Sequence, residues 1–305
     1  MNEFLQQPNL IFLVEHLALH YDLKTIDQIL LGMTSKRVVS LRINTLKTTK
    51  EHILSVLDSK QITHENISWF HDGLIVHAKE IELESLDIYQ QGMIYLQSLS
   101  SMIPPLIMEL KPSIDILDMA AAPGGKTSEI AQLTNNESFI TACEANPIRA
   151  EKLKFTLDRQ GVKKTTVLIK DSTQLDDFFQ FDQILLDAPC SGSGTILLHD
   201  VKTYQFFTKK LIDKSVEKQK AMLTKAIKLL KRGGEIVYST CSILPDENEE
   251  IIRFILSKKQ VELIPIDNKR FEGLPLLPSN LKGTLLIMPS ASYEGFFVAK
   301  LKKIK

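Results

Sequence analysis

Two cysteines stand at positions where side chains could do chemistry. Cys190 lies in the segment DAPC (187–190) and Cys241 in the segment STCS (239–242), and each segment follows an apolar run. Because parallel strands end at one edge of a sheet, we expect both thiols to reach the same pocket, where a free thiol could act as a nucleophile. Cys143 lies inside an apolar run and is predicted to be a small core residue.

A run of small residues predicts a ligand-binding loop beside these cysteines. Residues 120–127 read AAAPGGKT and precede a helical pattern. Small side chains let a ligand approach the backbone, and the start of a helix offers unpaired N–H groups, so we predict that a nucleotide-like ligand binds here. A phosphate-binding P-loop is the alternative, because Gly125, Lys126 and Thr127 match the end of its motif. Against it, the first glycine of that motif would fall on Ala120, and Pro123 removes a backbone donor.

Acidic residues end the apolar runs that follow the loop. Glu144 stands about twenty residues beyond it, where a carboxylate binds ribose hydroxyls in dinucleotide folds. Asp171 and Asp187 end the next two runs. One such acid is often only a helix cap or a turn residue, but three in register favour a ligand site.

The elements that must position these residues form a regular pattern after Pro112. Apolar runs alternate with amphipathic stretches such as 147–160 and 214–230, which predicts a mostly parallel sheet covered by helices. The last two apolar segments, 283–288 and 295–301, predict an antiparallel hairpin at the sheet edge, an ending typical of Rossmann-like methyltransferases. The five preceding strands are predicted at 114–119, 139–143, 166–169, 181–186 and 235–239.

The first hundred residues have a different pattern of apolar and polar residues, which predicts a small α+β unit. Two short helices are expected between Leu5 and Met33, a strand at 37–46 and a helix at 50–57. Short strands are expected on either side of a turn at His71, Asp72 and Gly73, over 68–70 and 74–77. The double proline at 104–105 and Pro112 are predicted to mark a boundary region.

Composition favours a soluble globular protein with local patches of charge. The chain has 37 Lys and Arg against 37 Asp and Glu, yet residues 201–232 are locally basic, either as a solvated helix face or as a surface for a polyanion. The sequence lacks an apolar run long enough for a membrane span and a signal-peptide pattern, so a cytoplasmic location is expected. Three cysteines without CxxC spacing predict free thiols and no metal site. The basic residues of the stretch are Lys202, Lys209, Lys210, Lys214, Lys218, Lys220, Lys225, Lys228, Lys231 and Arg232.

Together the motifs resemble the RsmB/Nop/Sun family of RNA cytosine-5 methyltransferases. The resemblance lies in AAAPGGKT (120–127), in DAPCSGSG (187–194), and in YSTCS (238–242) followed by Glu247, Asn248 and Glu249. It extends to LRINTL (41–46), similar to the RNA-binding segment of the family, to QGMIYLQSLSSM (91–102), similar to the start of its catalytic domain, and to EGFFVAK (294–300), similar to its last strand. Ala120 departs from the family, where many members carry Cys, and no long C-terminal extension follows.

The resemblance implies an α/β fold with a Rossmann-like, mostly parallel seven-stranded sheet of order 3-2-1-4-5-7-6, preceded by a small α+β RNA-binding domain. Residues 1–100 and 101–305 are the expected domains. The implied activity is methylation of cytosine C5 in RNA, either rRNA or tRNA, with S-adenosylmethionine as cofactor. A monomer is expected, and the RNA groove is expected to run from Arg42 and Asn44 to the Lys-rich stretch.

The resemblance also assigns site roles. Cys241 is expected to add to C6 of the base, because C5 does not attack a sulfonium methyl until a thiolate has added, and Cys190 is expected to assist product release. Asp187 is expected to contact the base near N3 and N4. Lys126 is expected to lower the pKa of Cys241 or to contact the base. The expected cofactor residues are Ala120, Ala121, Ala122, Pro123, Gly124, Gly125, Lys126, Glu144, Arg149, Asp171 and Asp187.

Two alternatives stay open at this stage. A DNA cytosine-5 methylase shares the chemistry but uses the Pro-Cys thiol as nucleophile, and the presence of Thr240 and Cys241 argues against it. A non-catalytic RNA-binding or assembly factor could keep the fold, and intact cysteines and an intact loop argue against that reading.

Overall fold

The computed structural model describes residues 7–305, so the expected helix start at Leu5 lies outside the described residues. Two short helices open the chain, α1 (Pro8–Leu17) and α2 (Leu23–Thr34), as predicted. Their apolar faces pack against the larger of two sheets: Leu10, Leu13, Ile29 and Met33 belong to the same buried cluster as Leu186 and Phe297. Among residues 7–305, no helix is long and apolar enough to cross a membrane.

The first sheet has four antiparallel strands in the order β2-β3-β1-β4. Its predicted turn at 71–73 is wrong, because β3 runs through those residues and the turn falls at Ser68 and Trp69 instead. The elements of this unit are β1 (Val39–Ile43), α3 (Lys50–Ser59), β2 (His64–Ile67), β3 (Phe70–Val76), α4 (Glu80–Glu84), α5 (Asp87–Gln90) and β4 (Ile94–Leu96).

The second sheet has eight strands, seven of which follow the path β10-β12-β9-β8-β5-β6-β7. The five strands from β9 to β7 are parallel, and β12 lies antiparallel to β9, β10 and β11. The strands are β5 (Asp115–Asp118), β6 (Phe139–Cys143), β7 (Thr165–Leu168), β8 (Phe181–Asp187), β9 (Leu230–Thr240), β10 (Val261–Ile264), β11 (Leu285–Ile287) and β12 (Phe296–Lys303).

The sequence identified the hairpin but missed one strand. The predicted pairing of 283–288 with 295–301 is confirmed as β11 with β12. If β11 is left out and the other strands of this sheet are numbered from 1 to 7 in chain order, their order across the sheet is 3-2-1-4-5-7-6. The strand numbered 6 is β10. This strand, VELI, is only four residues long and one of its four residues is buried. The sheet therefore has eight strands and not the seven expected.

Local signals account for where the helices of this unit begin and end. Helix α8 (Pro147–Gln160) starts with proline after Asn146, whose side chain accepts hydrogen bonds from two backbone N–H groups. Gly161 ends it with a φ of 71°, a conformation that glycine adopts without strain. The other helices are α6 (Leu99–Ile107), α7 (Gly125–Leu133), α9 (Lys209–Leu229) and α10 (Glu249–Leu256).

The double proline lies within a helix and not in a linker. Pro104 and Pro105 are buried inside α6, which packs on α7 and on the second sheet. The helix ends two residues later, as expected where prolines remove backbone donors. The division into 1–100 and 101–305 stays a prediction.

Candidate active site

The two predicted cysteines meet at the edge of the second sheet. Strands β8 and β9 are parallel and in register, with Asp187 opposite Ser239, so the segments that follow them start side by side. The Sγ atoms of Cys190 and Cys241 lie 3.2 Å apart, and both residues are partly accessible to solvent. Cys143 is buried in the core, as predicted, where burial raises its pKa to about 12.

Hydrogen bonds between the two loops hold this sulfur pair in place. The Gly194 N–H donates to the Cys241 carbonyl at 3.0 Å. The Ser193 and Ser242 hydroxyls lie 2.9 Å apart, and the Ile243 N–H donates to the Ser193 hydroxyl at 3.0 Å. These hydrogen bonds therefore connect the loops after β8 and β9 to each other.

Glu247 is the group around which these loops are arranged, and no site role was predicted for it. Its fully buried carboxylate accepts from the Ser191 N–H at 2.7 Å, from the Ser191 hydroxyl at 2.5 Å and from the Ser242 hydroxyl at 2.6 Å. Each serine adjoins one of the two cysteines. Burial raises the pKa of Glu247 despite these donors. Its place after the YSTCS motif was the only available signal.

Electrostatics keep Cys190 protonated. Its hydrogen bond with the Cys241 sulfur, its burial and the nearby Glu247 carboxylate all raise its pKa well above the ordinary range of a thiol. Cys190 can therefore donate a hydrogen bond to the Cys241 sulfur at neutral pH.

Lys126 and Asp187 form an ion pair between the sulfurs' loops and the small-residue loop. The Lys126 Nζ atom lies 2.6 Å from Asp187 Oδ2 and 2.7 Å from the Ser101 hydroxyl. The Ser239 hydroxyl donates to the second oxygen of Asp187 at 2.7 Å. Burial lowers the pKa of Lys126, but the Asp187 carboxylate outweighs it and the net shift is upward. The lysine stays charged, and its charge is already matched by Asp187.

The small-residue loop crosses the end of β5 and is tied to it by Asp118. One oxygen of this carboxylate accepts from the Thr127 hydroxyl at 2.7 Å and the other from the Ala120 N–H at 3.3 Å, while burial raises its pKa to about 6. Gly124 has a φ of +109°, which favours glycine. A Cβ on Gly125 would approach the Tyr95 ring to 2.8 Å. The loop therefore needs its small residues because the first unit packs closely on it.

A cavity of about 200 Å³ lies over the loop. Loop residues, Asp118, Lys126 and Asp187 line one side, and the other side comes from Tyr95–Ser98 and Ser101, which the sequence did not single out as site residues. It is smaller than the roughly 300 Å³ or more of typical ligand sites, so it fits only part of a nucleotide-like molecule. A second cavity of about 800 Å³ adjoins it past Pro123 and shares Tyr95–Ser98.

The remaining predicted cofactor residues lie along the same sheet edge but outside the smaller cavity. Glu144 follows β6 and has one oxygen 3.6 Å from Arg149 Nη1, and Arg149 also donates to the Ala122 carbonyl at 2.8 Å. Asp171 uses a single oxygen to accept from the N–H and the hydroxyl of Thr173. Carboxylates at the ends of β6 and β7, next to an open helix start, fit a ligand with ribose hydroxyls and an amino-purine.

The prediction that Arg42 and Asn44 face an RNA groove is wrong. Arg42 is fully buried, and its guanidinium donates to Gln97 Oε1 at 3.1 Å, to Ser128 Oγ at 2.8 Å and to Gln132 Oε1. Asn44 is also buried, and its amide donates to the carbonyls of Gly92 and Gln160, both at 2.8 Å. Both side chains join the two units of the chain because each finds its acceptors in the packed interface.

The first lysines of α9, in contrast, are exposed. Lys209, Lys210, Lys214 and Lys218 lie on the outer face of α9, where the structure pairs Lys209 with Asp213. The inner face of α9 reaches the site, because the Gln219 amide donates to the carbonyl of Pro189 at 2.9 Å. A basic surface therefore lies on the helix that supports the Cys190 loop.

Comparisons with known proteins agree with this architecture. Residues 105–302 match the family described as 16S rRNA methyltransferase RsmB/F, and residues 11–81 match its ferredoxin-like domain. A solved methyltransferase homologue from Pyrococcus horikoshii is 32% identical, with a TM-score of 0.79 over 94% of this chain and 97% of that one.

Two curated relatives differ in the RNA that their names give. A tRNA (cytosine(49)-C(5))-methyltransferase from Pyrococcus abyssi is 37% identical over 87% of this chain and 88% of its own length. Ribosomal RNA small subunit methyltransferase F from Shewanella woodyi is 34% identical over 87% of this chain, but the chain spans only 57% of that protein. By sequence, fold and site motifs, the chain belongs to the RsmB/F family of methyltransferases.

Proposed function

We propose that the protein methylates C5 of cytosine in RNA, with S-adenosylmethionine as methyl donor and Cys241 as nucleophile. The observation that carries the proposal is the pair of thiols 3.2 Å apart beside the small-residue loop and the Lys126–Asp187 ion pair. The relatives supply the substrate class, since one is a tRNA (cytosine(49)-C(5))-methyltransferase and another is a methyltransferase of ribosomal RNA.

S-adenosylmethionine supplies an electrophilic methyl group when bound. Residues 120–126 would hold it through the backbone, Glu144 would bind its ribose with Arg149 supporting that carboxylate, and Asp171 would lie near its adenine amine. The residues of the chain fit this ligand by type and position: small side chains in the loop, and carboxylates at successive strand ends. Asp187 would lie between the cofactor and the base.

Cys241 would start the reaction by adding to C6 of the base as a thiolate. The C5–C6 double bond opens, electron density moves to C5, and C5 takes the methyl group. A water molecule would then take the C5 proton, which restores the C5–C6 double bond and expels the Cys241 thiolate. Asp187 would hydrogen-bond the base near N3 and N4, and the charge of Lys126 would steady the anionic character that develops there.

Cys190 would assist the last step. Because its pKa is raised, it is a thiol at neutral pH and can donate a hydrogen bond to the sulfur that leaves C6. A hydrogen-bond donor next to a leaving thiolate favours its departure. Glu247 would act as a positioning residue, since it binds the serine beside each cysteine.

The base must be unstacked before a thiol can reach C6, which favours a cytosine in a loop or a flipped base over one in an intact helix. The exposed lysines of α9 would bind the backbone of such an RNA. Electrostatic attraction of this kind needs a local patch and not an overall positive charge.

Two cysteine variants test the proposal because the thiols act at different steps. Cys241→Ala should give neither methylated RNA nor a covalent adduct. Cys190→Ala should still add and transfer methyl, so RNA should accumulate as an adduct that survives denaturing electrophoresis. The readouts are incorporation of labelled methyl groups and the shifted protein band.

Cys143→Ala is the matched control, because this thiol is buried in the core and its loss should lower stability without producing an adduct. An adduct in Cys241→Ala and none in Cys190→Ala would reverse the roles, as in DNA-type enzymes. Loss of activity in both variants without any adduct would reduce the cysteines to packing residues and contradict the proposal.

A further inference from the structure

Three potential metal ligands meet on the surface formed by α1 and the loop that follows Cys241. His16 Nε2 lies 3.0 Å from Asp246 Oδ2, and His20 Nε2 lies 3.2 Å from the same oxygen. All three ligand atoms lie within 4.8 Å of one another. The cluster joins residues 230 positions apart in the chain. We propose that His16, His20 and Asp246 bind a divalent transition-metal ion of the zinc type.

The two nitrogen–oxygen distances fit a tetrahedral site. Zinc binds histidine nitrogen and carboxylate oxygen at roughly 2.0–2.2 Å, so neighbouring ligand atoms of a tetrahedral site lie about 3.3–3.5 Å apart. The two nitrogen–oxygen separations, 3.0 and 3.2 Å, are within a few tenths of an ångström of that value. Two imidazoles and one carboxylate also form a donor set that suits zinc, with a fourth position open to water.

The sequence positions of the histidines favour a shared ligand. A spacing of four residues places side chains on one face of a helix, and the chain keeps a helical turn past Leu17, where the His20 N–H donates to the Leu17 carbonyl at 3.0 Å. The cysteine spacing argued against a zinc site, but these ligands are histidines and a carboxylate that only the fold brings together.

Hydrogen bonding within the cluster accounts for the position of the His16 ring but not for that of the His20 ring. His16 Nε2 hydrogen-bonds to Asp246. His20 Nε2 is shielded from solvent and points to the same oxygen, yet it makes no hydrogen bond to any residue in 7–305. A buried polar atom without a partner costs free energy, and a metal ion would give this nitrogen a partner. The two imidazoles also lie edge to face, with ring centroids 5.4 Å apart.

The site would brace the loop of Cys241. Asp246 directly precedes Glu247, the carboxylate that binds the serines beside both cysteines. A second tie lies nearby, because the Tyr21 hydroxyl donates to the Ile243 carbonyl at 2.7 Å. A metal ion here would fasten α1 and the turn after it to the loop on which the thiol pair depends.

Zinc chloride added to the chelator-treated full-length protein tests the proposal, with calorimetry and thermal unfolding as readouts. We expect one zinc ion per chain and, at a hundredfold excess over Kd, a rise in Tm on the order of 5 °C. His20→Gln should weaken zinc binding at least tenfold. Because His20 Nε2 makes no hydrogen bond among the described residues, this variant should keep the Tm of the metal-free protein, so a folding defect does not confuse the result.

Two comparisons separate this site from other zinc ligands. His52→Gln, an exposed histidine on α3, is the matched control and should bind zinc as wild type does. The thiol pair could bind zinc as well, so the titration is repeated in Cys190→Ala/Cys241→Ala, where the proposed binding should persist. Zinc binding that survives His20→Gln, disappears with the cysteines, or gives no rise in Tm would overturn the proposal.

Discussion

Replacing Arg42 by methionine tests whether this residue joins the two units or binds RNA. Its guanidinium is fully buried and donates to two side-chain amide oxygens, those of Gln97 and Gln132, and to the Ser128 hydroxyl. Methionine keeps much of the apolar volume but donates no hydrogen bond. The structure therefore predicts a loss of stability, whereas a role in RNA binding predicts a loss of affinity.

The size of the loss follows from the acceptors that remain. Each buried amide oxygen without a partner costs about 1–3 kcal/mol. Glu129 Oε2 lies 4.0 Å from Arg42 Nε, but burial raises the pKa of Glu129 to about 8, so its carboxyl group carries a proton at neutral pH and adds little charge penalty. We expect the free energy of unfolding to fall by about 3 kcal/mol, and Tm to fall by roughly 5 °C.

The pH dependence gives a second readout. Because the pKa of Glu129 rises from 4.5 to about 8 on folding, the native state takes up a proton, and stability falls as pH rises through that range. The charge of Arg42 lowers this pKa. Without Arg42 the pKa rises further, so stability should continue to fall above pH 8, where the Glu129 contribution in the wild type levels off.

Denaturant unfolding at several pH values, together with RNA binding at a temperature where both proteins are folded, is the assay. Lys214→Met is the control: it also removes one positive charge, but from an exposed position, so stability should change by less than about 0.5 kcal/mol. If Arg42→Met unfolded like the wild type and bound RNA more weakly with a smaller salt dependence, the buried, structural role of Arg42 would be refuted.

Two further predictions concern the ligands. Glu144→Ala and Asp171→Ala should each weaken S-adenosylmethionine binding about tenfold, as measured by calorimetry. The reason is that a hydrogen bond to a charged group contributes about 1.5 kcal/mol or more. Unchanged affinity in both variants would show that these residues do not bind the cofactor. Replacing Lys209, Lys210 and Lys214 by Glu should weaken RNA binding and reduce the slope of log K against log salt by up to about 0.7 per lost contact. That triple variant should leave cofactor affinity unchanged. An unaltered salt slope would contradict an RNA-binding surface on α9.

Much of the site could be predicted from the sequence because it is built from strand ends. Parallel strands bring the residues that follow them to one edge, so Cys190, Cys241 and the loop 120–127 could be expected together. Local signals were equally direct: Asn146 and Gly161 mark the two ends of α8. These features depend on a few neighbouring residues, so the amino-acid sequence alone determines them.

Contacts between distant segments depended on the tertiary structure. Arg42 was expected to face RNA because LRINTL (41–46) resembles the RNA-binding segment of the family, but the packing of one unit on the other buries it among acceptors. Strand β10 has only four residues, and its pairing with β12 makes it a strand.

The same holds for side chains whose neighbours are supplied by other loops. Sequence motifs marked Cys190 and Cys241, while the fold decided that the buried carboxylate of Glu247 holds both of their loops. It also decided that His20 meets Asp246. The reason is physical: the direction of a strand is encoded locally, but the partner of a buried polar group is fixed only when the layers of the fold have packed.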